Sequence, residues 1–375
     1  FYALALRASA VPTDKTYKIQ REAGKILEAL FINEPNHPGI AHYIIHSYDY
    51  PELAELGLNT ARRYAEIAPN SAHAQHMPSH IFTRLGLWEE SITTNINSAA
   101  SAICYAESIA PGAHWDEEVH AMGYLVYSYL QTGDNAKAIE QYNYLKSFDK
   151  VFPSNFKIAY TSAAIPARIA MENKNWQDAA KVEVPHNLDL AWESFPWQKA
   201  IVHFTRAMGA IHTKNPQAAE NELNVLRSLQ KELIKIDDGY KANQVDIQIK
   251  MVEAWLALAK GNEKEALLSM EMAVDMEDKT SKHPVTPGEV VPADELFADM
   301  LLRLNKPQEA LEAYELNLQR RPNRLNGIYG AASAAKQSGN QEKAAYYFKQ
   351  LLELTKNSNS SRPEIMEAKK FITQS

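Results

Sequence analysis

The chain has 375 residues, 45% apolar and 23% charged, enough for two ordinary domains or one extended repeat array. A net charge of −7 argues against the concentrated basic surface that nucleic-acid binding needs, and only 14 glycines argue against a turn-rich β fold. One cysteine, Cys104, rules out an internal disulfide and a thiolate zinc site, and no apolar run reaches the roughly 18–20 residues of a membrane-spanning helix.

Helical periodicity runs almost throughout, with no alternating strand. Phe1 to Arg7 reads as mid-helix, so residues upstream of Phe1 are expected and a leader would not be visible here. Both a cytoplasmic and a periplasmic location stay open. Pro12-Thr13-Asp14 reads as the start signal of a helix over 14–31. Helices follow at 38–48, 52–68, 72–85 and 88–109, punctuated by Pro35, Pro51, Pro69, Gly86 and Pro111-Gly112. The pairs 116–132 with 135–148 and 156–173 with 176–183 come next, the last with a short second arm. Beyond Pro185 the pattern resumes at 195–213, 216–234, 240–260 and 263–277. The segment 278–292, carrying Pro284, Pro287 and Pro292, is too proline-rich for a helix. It reads either as a functional loop or as a spacer that turns the array.

The last units are the most regular. Asn305 and Gly339 fall 34 residues apart at inter-helix turns, and Ala310, Ala313, Ala344 and Ala345 let helices approach closely. Pro322 closes a unit, 357–361 reads as a flexible connector, and 362–373 as a capping helix with a polar outer face. The period is that of the tetratricopeptide repeat, which these units resemble. The chain is also similar to a bacterial group of tetratricopeptide proteins. The similarity rests on the stretch His37-Pro38-Gly39-Ile40-Ala41-His42-Tyr43-Ile44-Ile45-His46-Ser47-Tyr48-Asp49, on His76-Met77-Pro78-Ser79-His80-Ile81-Phe82, on Ala164 to Arg168, and on Lys282 to Gly288. The resemblance implies an α-solenoid and supplies no substrate. The expectation is one all-α, right-handed solenoid of stacked hairpins: His-rich repeats over 1–185, central hairpins and the long loop over 186–291, and regular repeats with a cap over 292–375.

The functional signal is histidine placement. His42 and His46 are four apart, as are His76 and His80, and the second pair follows the first by 34 residues. Residues four apart share a helix face, so equivalent helices of adjacent repeats would bring four imidazoles to one wall, with His120 on the next helix. Packed helices lie about 8–10 Å apart, close enough for rings from both to reach one ion. Neutral imidazole suits Zn, Cu, Ni or Fe, and Met77 and Met122 raise the copper alternative. Pro78 interrupts the second pair, and a helix starting there would break its i,i+4 relation. A ligand groove would extend through Asp49, Glu117, Tyr124, Arg168, His203 and Arg206. Lys279, Lys282 and His283 would cover its mouth or remain a solvated loop.

Three readings fit: a metal site on His42, His46, His76, His80 and His120; a polar lining for an anionic ligand; or packing of a duplicated motif. At the level of function, the metal reading competes with a scaffold that grips a protein or peptide partner without turnover. No catalytic residue is assigned. Motifs for phosphate loops, serine hydrolases and zinc proteases are absent. Cys104, in an apolar helix, reads as a buried inert thiol.

Overall fold

The computed structural model describes residues 1–11, 14–185 and 188–374. The chain forms antiparallel helical hairpins in sequence order: α1 (Tyr2–Ala8), α2 (Lys18–Asn33), α3 (Pro38–Tyr48), α4 (Ala54–Ile67), α5 (Ala72–His76), α6 (Pro78–Leu85), α7 (Trp88–Ile109), α8 (Asp116–Gln131), α9 (Asn135–Lys146), α10 (Phe156–Glu172), α11 (Trp176–Ala179), α12 (Pro196–His212), α13 (Pro216–Lys235), α14 (Gly239–Ala259), α15 (Glu263–Asp278), α16 (Ala293–Arg303), α17 (Pro307–Arg320), α18 (Leu325–Gln337), α19 (Gln341–Leu354) and α20 (Pro363–Gln374). Most boundaries follow local chemistry that the sequence displays. Ser71, Asp134, Asn155, Asn215, Asp238 and Asn340 each cap a helix by accepting a backbone N–H from its first turn. Asn305 (φ +58°) and Gly339 (φ +81°) hold the left-handed conformation at equivalent hairpin turns.

Some expectations need correction. The helix expected from residue 14 begins at Lys18. Asp14 instead accepts the Thr16 N–H in a local turn, and Tyr17 is left-handed at φ +52°. Pro12 and Thr13, the rest of that start signal, lie outside the described residues. The arm expected over 176–183 stops at Ala179. Cys104 is exposed, not buried, because α7 is long and turns Ile96, Ile103, Tyr105 and Ile109 outward as well. A two-residue parallel pairing, β1 (His114–Trp115) with β2 (Val151–Phe152), has no sequence signal.

The core is distributed along the array, as in a solenoid, with one apolar cluster under α1–α6, one around α8–α10, one spanning α10–α16 and one under α16–α20. The first helices of successive hairpins pack side by side: α3 on α6, α5 on α8, then α8, α10, α12, α14, α16 and α18 in turn. The superhelical turn then closes, because α18 comes back against α8. Arg324, fully buried, binds Glu172 and Glu295 at 2.8 Å and the Tyr127 hydroxyl at 3.0 Å. Trp88 Nε1 donates to the Asn323 carbonyl, and the Leu325 N–H to Gln131. The 357–361 connector also lies on the N-terminal half, where Ser358 donates to the Gly133 carbonyl.

The segment 279–292 runs through the concave side. Its carbonyls accept from inner-helix side chains: Tyr124 bonds Val285, and both Tyr160 and Arg168 bond Gly288. Its second lysine, Lys282, reaches Asp49 at the end of α3. No helix among the described residues is long and apolar enough to cross a membrane.

Candidate metal centre

The repeat register does bring the two histidine pairs together. On α3 the His42 and His46 rings stand 4.6 Å apart, centroid to centroid. Pro78 breaks the next helix at Met77, yet the backbone stays in the right-handed region there (φ −52°, ψ −37°). His76 and His80 therefore still meet across one turn, with Nε2 atoms 3.2 Å apart. His120 of α8 lays its ring 4.3 Å from that of His76. Ligand atoms of His76, His80 and His120 all lie within 4.8 Å of one another, and all three residues are buried. His42 and His46 fall outside that group. His46 sits 5.9 Å from His80 by ring centroids, and His42 5.1 Å from His73.

The partners of the outer nitrogens fix the tautomers. Asn95 donates its amide to the Ser91 carbonyl at 2.7 Å, which turns its Oδ1 toward His76 Nδ1, also at 2.7 Å. That nitrogen must carry the proton. His80 Nδ1 faces the Asp49 carboxylate at 3.0 Å and must carry its proton too. The two Nε2 atoms that face each other then both present lone pairs. In a tetrahedral site with metal–nitrogen bonds of about 2.0–2.1 Å, neighbouring nitrogens stand about 3.3 Å apart. A histidine ligand whose far N–H is held by a carboxylate or carbonyl oxygen is the usual outer arrangement of such sites.

Electrostatics keep these rings neutral. Burial holds His76 well below the ordinary imidazole range, reinforced by His120 and His80. Burial likewise brings His120 to about 3 and His80 to about 4. It lowers His42 to about 4 and His46 to about 2. Asp49 is the anionic hub. Burial pushes its carboxyl up, but Lys282, Arg84 and the His80 bond outweigh that and hold it well below the carboxylate range. Its Oδ1 accepts Arg84 Nε at 2.9 Å and its Oδ2 accepts Lys282 Nζ at 2.7 Å. Glu117 lies at the outer side. One oxygen accepts Lys157 Nζ at 2.7 Å; the other, buried Oε2, has no hydrogen bond within 3.5 Å among the described residues and pairs with His73 Nδ1 at 3.6 Å.

The other expected groove residues divide. Tyr124 packs edge-on against His76 at 4.6 Å and binds the 279–292 segment with its hydroxyl. Arg168 is buried, stacks over Tyr127 at 4.5 Å and holds the same segment, so it offers no free charge to a ligand. His203 and Arg206 are not brought to the cluster: both pair with Glu222 of α13 at 2.6 Å. Met77 and Met122 lie in apolar core clusters. Sequence reasoning gave no role to Asn95 or Arg84 and had Lys282 either covering the groove mouth or in a solvated loop; it is buried on Asp49. Arg84 carried a signal, four residues beyond His80 on the same face. Asn95, on a neighbouring helix with an unremarkable context, carried none.

No protein-family model matches the chain, and no curated protein matches it. Among solved structures it is similar to a tetratricopeptide repeat protein from Parabacteroides merdae (14% identity, TM-score 0.38, covering 80% of this chain and 98% of that one). It is also similar to human IFIT1, solved as a dimer with PPP-AAAA (14%, 0.43, 90% and 69%), and to the P58(IPK) TPR domain (14%, 0.28, 100% and 98%). The chain has a tetratricopeptide-like fold, an all-α solenoid of stacked hairpins.

Proposed function

We propose that this solenoid binds a transition-metal ion through His76, His80 and His120. The observation that carries the reading is the pair of facing Nε2 lone pairs 3.2 Å apart, each forced by an acceptor behind it, Asn95 for His76 and Asp49 for His80. Left to themselves, two such lone pairs repel; a cation between them removes the conflict. Burial disfavours a proton in that role, as the lowered imidazoles indicate. An all-imidazole donor set suits Zn, Cu, Ni or Fe. Three protein ligands leave a further coordination position, and an ion held so supplies Lewis acidity and an acidified bound water. The chain's own part is to orient the rings through Asn95 and Asp49 and to exclude water with Tyr124.

The second reading is a scaffold for an extended peptide. It is favoured by the way Tyr124, Tyr160 and Arg168 grip the carbonyls of 279–292. That same segment fills the surface a partner would need, so the metal reading takes precedence. Elemental analysis of protein purified without an immobilised-metal column separates the two. One tightly held ion per chain, lost in His76→Ala, supports the first. A metal-free chain that also takes up no added Zn(II) or Co(II) refutes it.

A further inference from the structure

The inner trio is nearly closed to water: His76 is fully buried, and His80 and His120 are 2% and 6% exposed. More exposed imidazoles beside it offer an arriving ion an earlier hold. Resting on the metal reading above, we propose that His73 and His42 form a second, outer two-histidine site for the same divalent cation, from which it passes by way of His46 to the trio.

The spacing fits. Two imidazoles on one tetrahedral ion have ring centroids about 5 Å apart, from a metal–nitrogen bond of about 2.0–2.1 Å. His42 is 5.1 Å from His73 and 4.6 Å from His46. The set also spans the depth of the protein. The His73 side chain is 47% exposed, His42 and His46 are half-buried, and His46 touches the trio at 5.9 Å from His80. His73 itself lies 6.5 Å from His76. The three rings thus bridge solvent and the inner ligands with no gap longer than one hop between neighbouring rings.

The outer set differs from the inner one in its anchoring. His76 and His80 are fixed from behind by Asn95 and Asp49. Among the described residues, no hydrogen bond to the His42 or His46 ring nitrogens is present. Anchored rings hold an ion with a fixed geometry; unanchored ones turn and release it at low cost. A carboxylate also stands at the entry. Glu117 Oε2, paired with His73 Nδ1 at 3.6 Å, puts a carboxylate beside the exposed ring where a cation would arrive.

The test is Co(II) or Zn(II) loading of metal-free protein, by stopped-flow spectroscopy and equilibrium titration, comparing wild type with His42→Asn/His73→Gln. These substitutions keep polarity and near-native shape, and circular dichroism checks the fold; His42→Ala alone serves as a second variant should the double one misfold. The expected result is a loading rate slowed about tenfold or more, with one tight ion retained and its affinity within about threefold. Wild type at excess metal takes a second, weaker ion that the variant lacks. An unchanged loading rate without a second weak ion overturns the outer site and leaves the inner one standing. Loss of the tight ion in the variant also overturns it, by making those rings inner ligands. A wild-type chain that takes no ion at all removes both proposals.

Discussion

Replacing Asp49 with Asn tests the hub on which the long segment, α6 and the inner histidines converge. Asparagine keeps the shape and removes the charge that faces Lys282, Arg84 and His80. Lys282, only 3% exposed, then has two options. It stays an unpaired buried ammonium, a change that costs about 3–5 kcal/mol in comparable sites. Otherwise it discharges. Burial already lowers Lys282 to about 8, so discharging it at pH 7 costs about 1.4 kcal/mol, one pH unit. The cheaper route sets its share. Arg84 and His80 each exchange a charged acceptor for an amide, adding about 1 kcal/mol apiece. The expected loss at pH 7 is about 3 kcal/mol.

The pH dependence distinguishes this account from a simple packing defect. Lys282 titrates lower in the folded chain than in the unfolded one, so between about pH 8 and its ordinary 10.5 the unfolded state holds more protons. Wild-type stability therefore gains from this group as pH rises through that window. In Asp49→Asn the gain begins at lower pH, so the two proteins converge on the alkaline side. The difference falls to about 2 kcal/mol at pH 9.5, leaving the Arg84 and His80 shares. Urea unfolding of metal-free protein, followed by far-UV circular dichroism at pH 7 and 9.5, measures both values. A loss below about 1 kcal/mol at pH 7, or one that does not shrink at pH 9.5, refutes the reasoning.

Asn95→Ala leaves the His76 tautomer unfixed, and equilibrium titration with Zn(II) is expected to show affinity weakened about 10–100-fold with stability little changed by comparison. In metal-free protein, His42, His46, His76, His80 and His120 all titrate below the ordinary imidazole value because they are buried. Their contribution to stability is fully present above about pH 6.5 and declines as pH falls toward their folded values, so on unfolding at pH 5 these five rings take up about five protons, and His212 and His283, also lowered to about 4 by burial, add to that uptake. A stability-against-pH slope of under one proton contradicts it. Gly209→Ala puts a methyl 2.2 Å from the Ala180 backbone nitrogen, where α12 crosses the end of α11. A loss of about 3 kcal/mol in urea unfolding is expected, since backbone cannot step aside as a side chain can. Gly339→Ala meets no atom within 4 Å, so only its φ of +81° opposes the change; about 1–2 kcal/mol is expected, with Gly339→Asn recovering most of it.

Much of the architecture was legible because solenoid information is local. Breaks such as Pro69, Gly86 and Pro111-Gly112, and turn residues such as Asn305 and Gly339, each act within one hairpin. Where a local signal had two uses, the reading slipped. Asp14 caps a turn as readily as a helix, and the apolar run around Cys104 serves a helix that faces two ways. In the candidate site, the i,i+4 spacing of His42 with His46 and His76 with His80 was enough to put each pair on one face. It was not enough to say which rings share a centre. Asn95 and Asp49 choose the tautomers, and only their approach from other elements makes two lone pairs meet.

By itself, the sequence determined the helices, their register and the faces that carry the histidines, because each depends on neighbours three or four residues away. The tertiary structure alone decided that Lys282 docks on Asp49 from 233 positions along the chain, that Arg168 serves the chain's own segment, and that Arg324 closes the turn on Glu172. Those pairings follow from curvature accumulated over many hairpins. A small rotation at each packing interface leaves no mark on any one repeat, yet their sum selects which distant side chains meet.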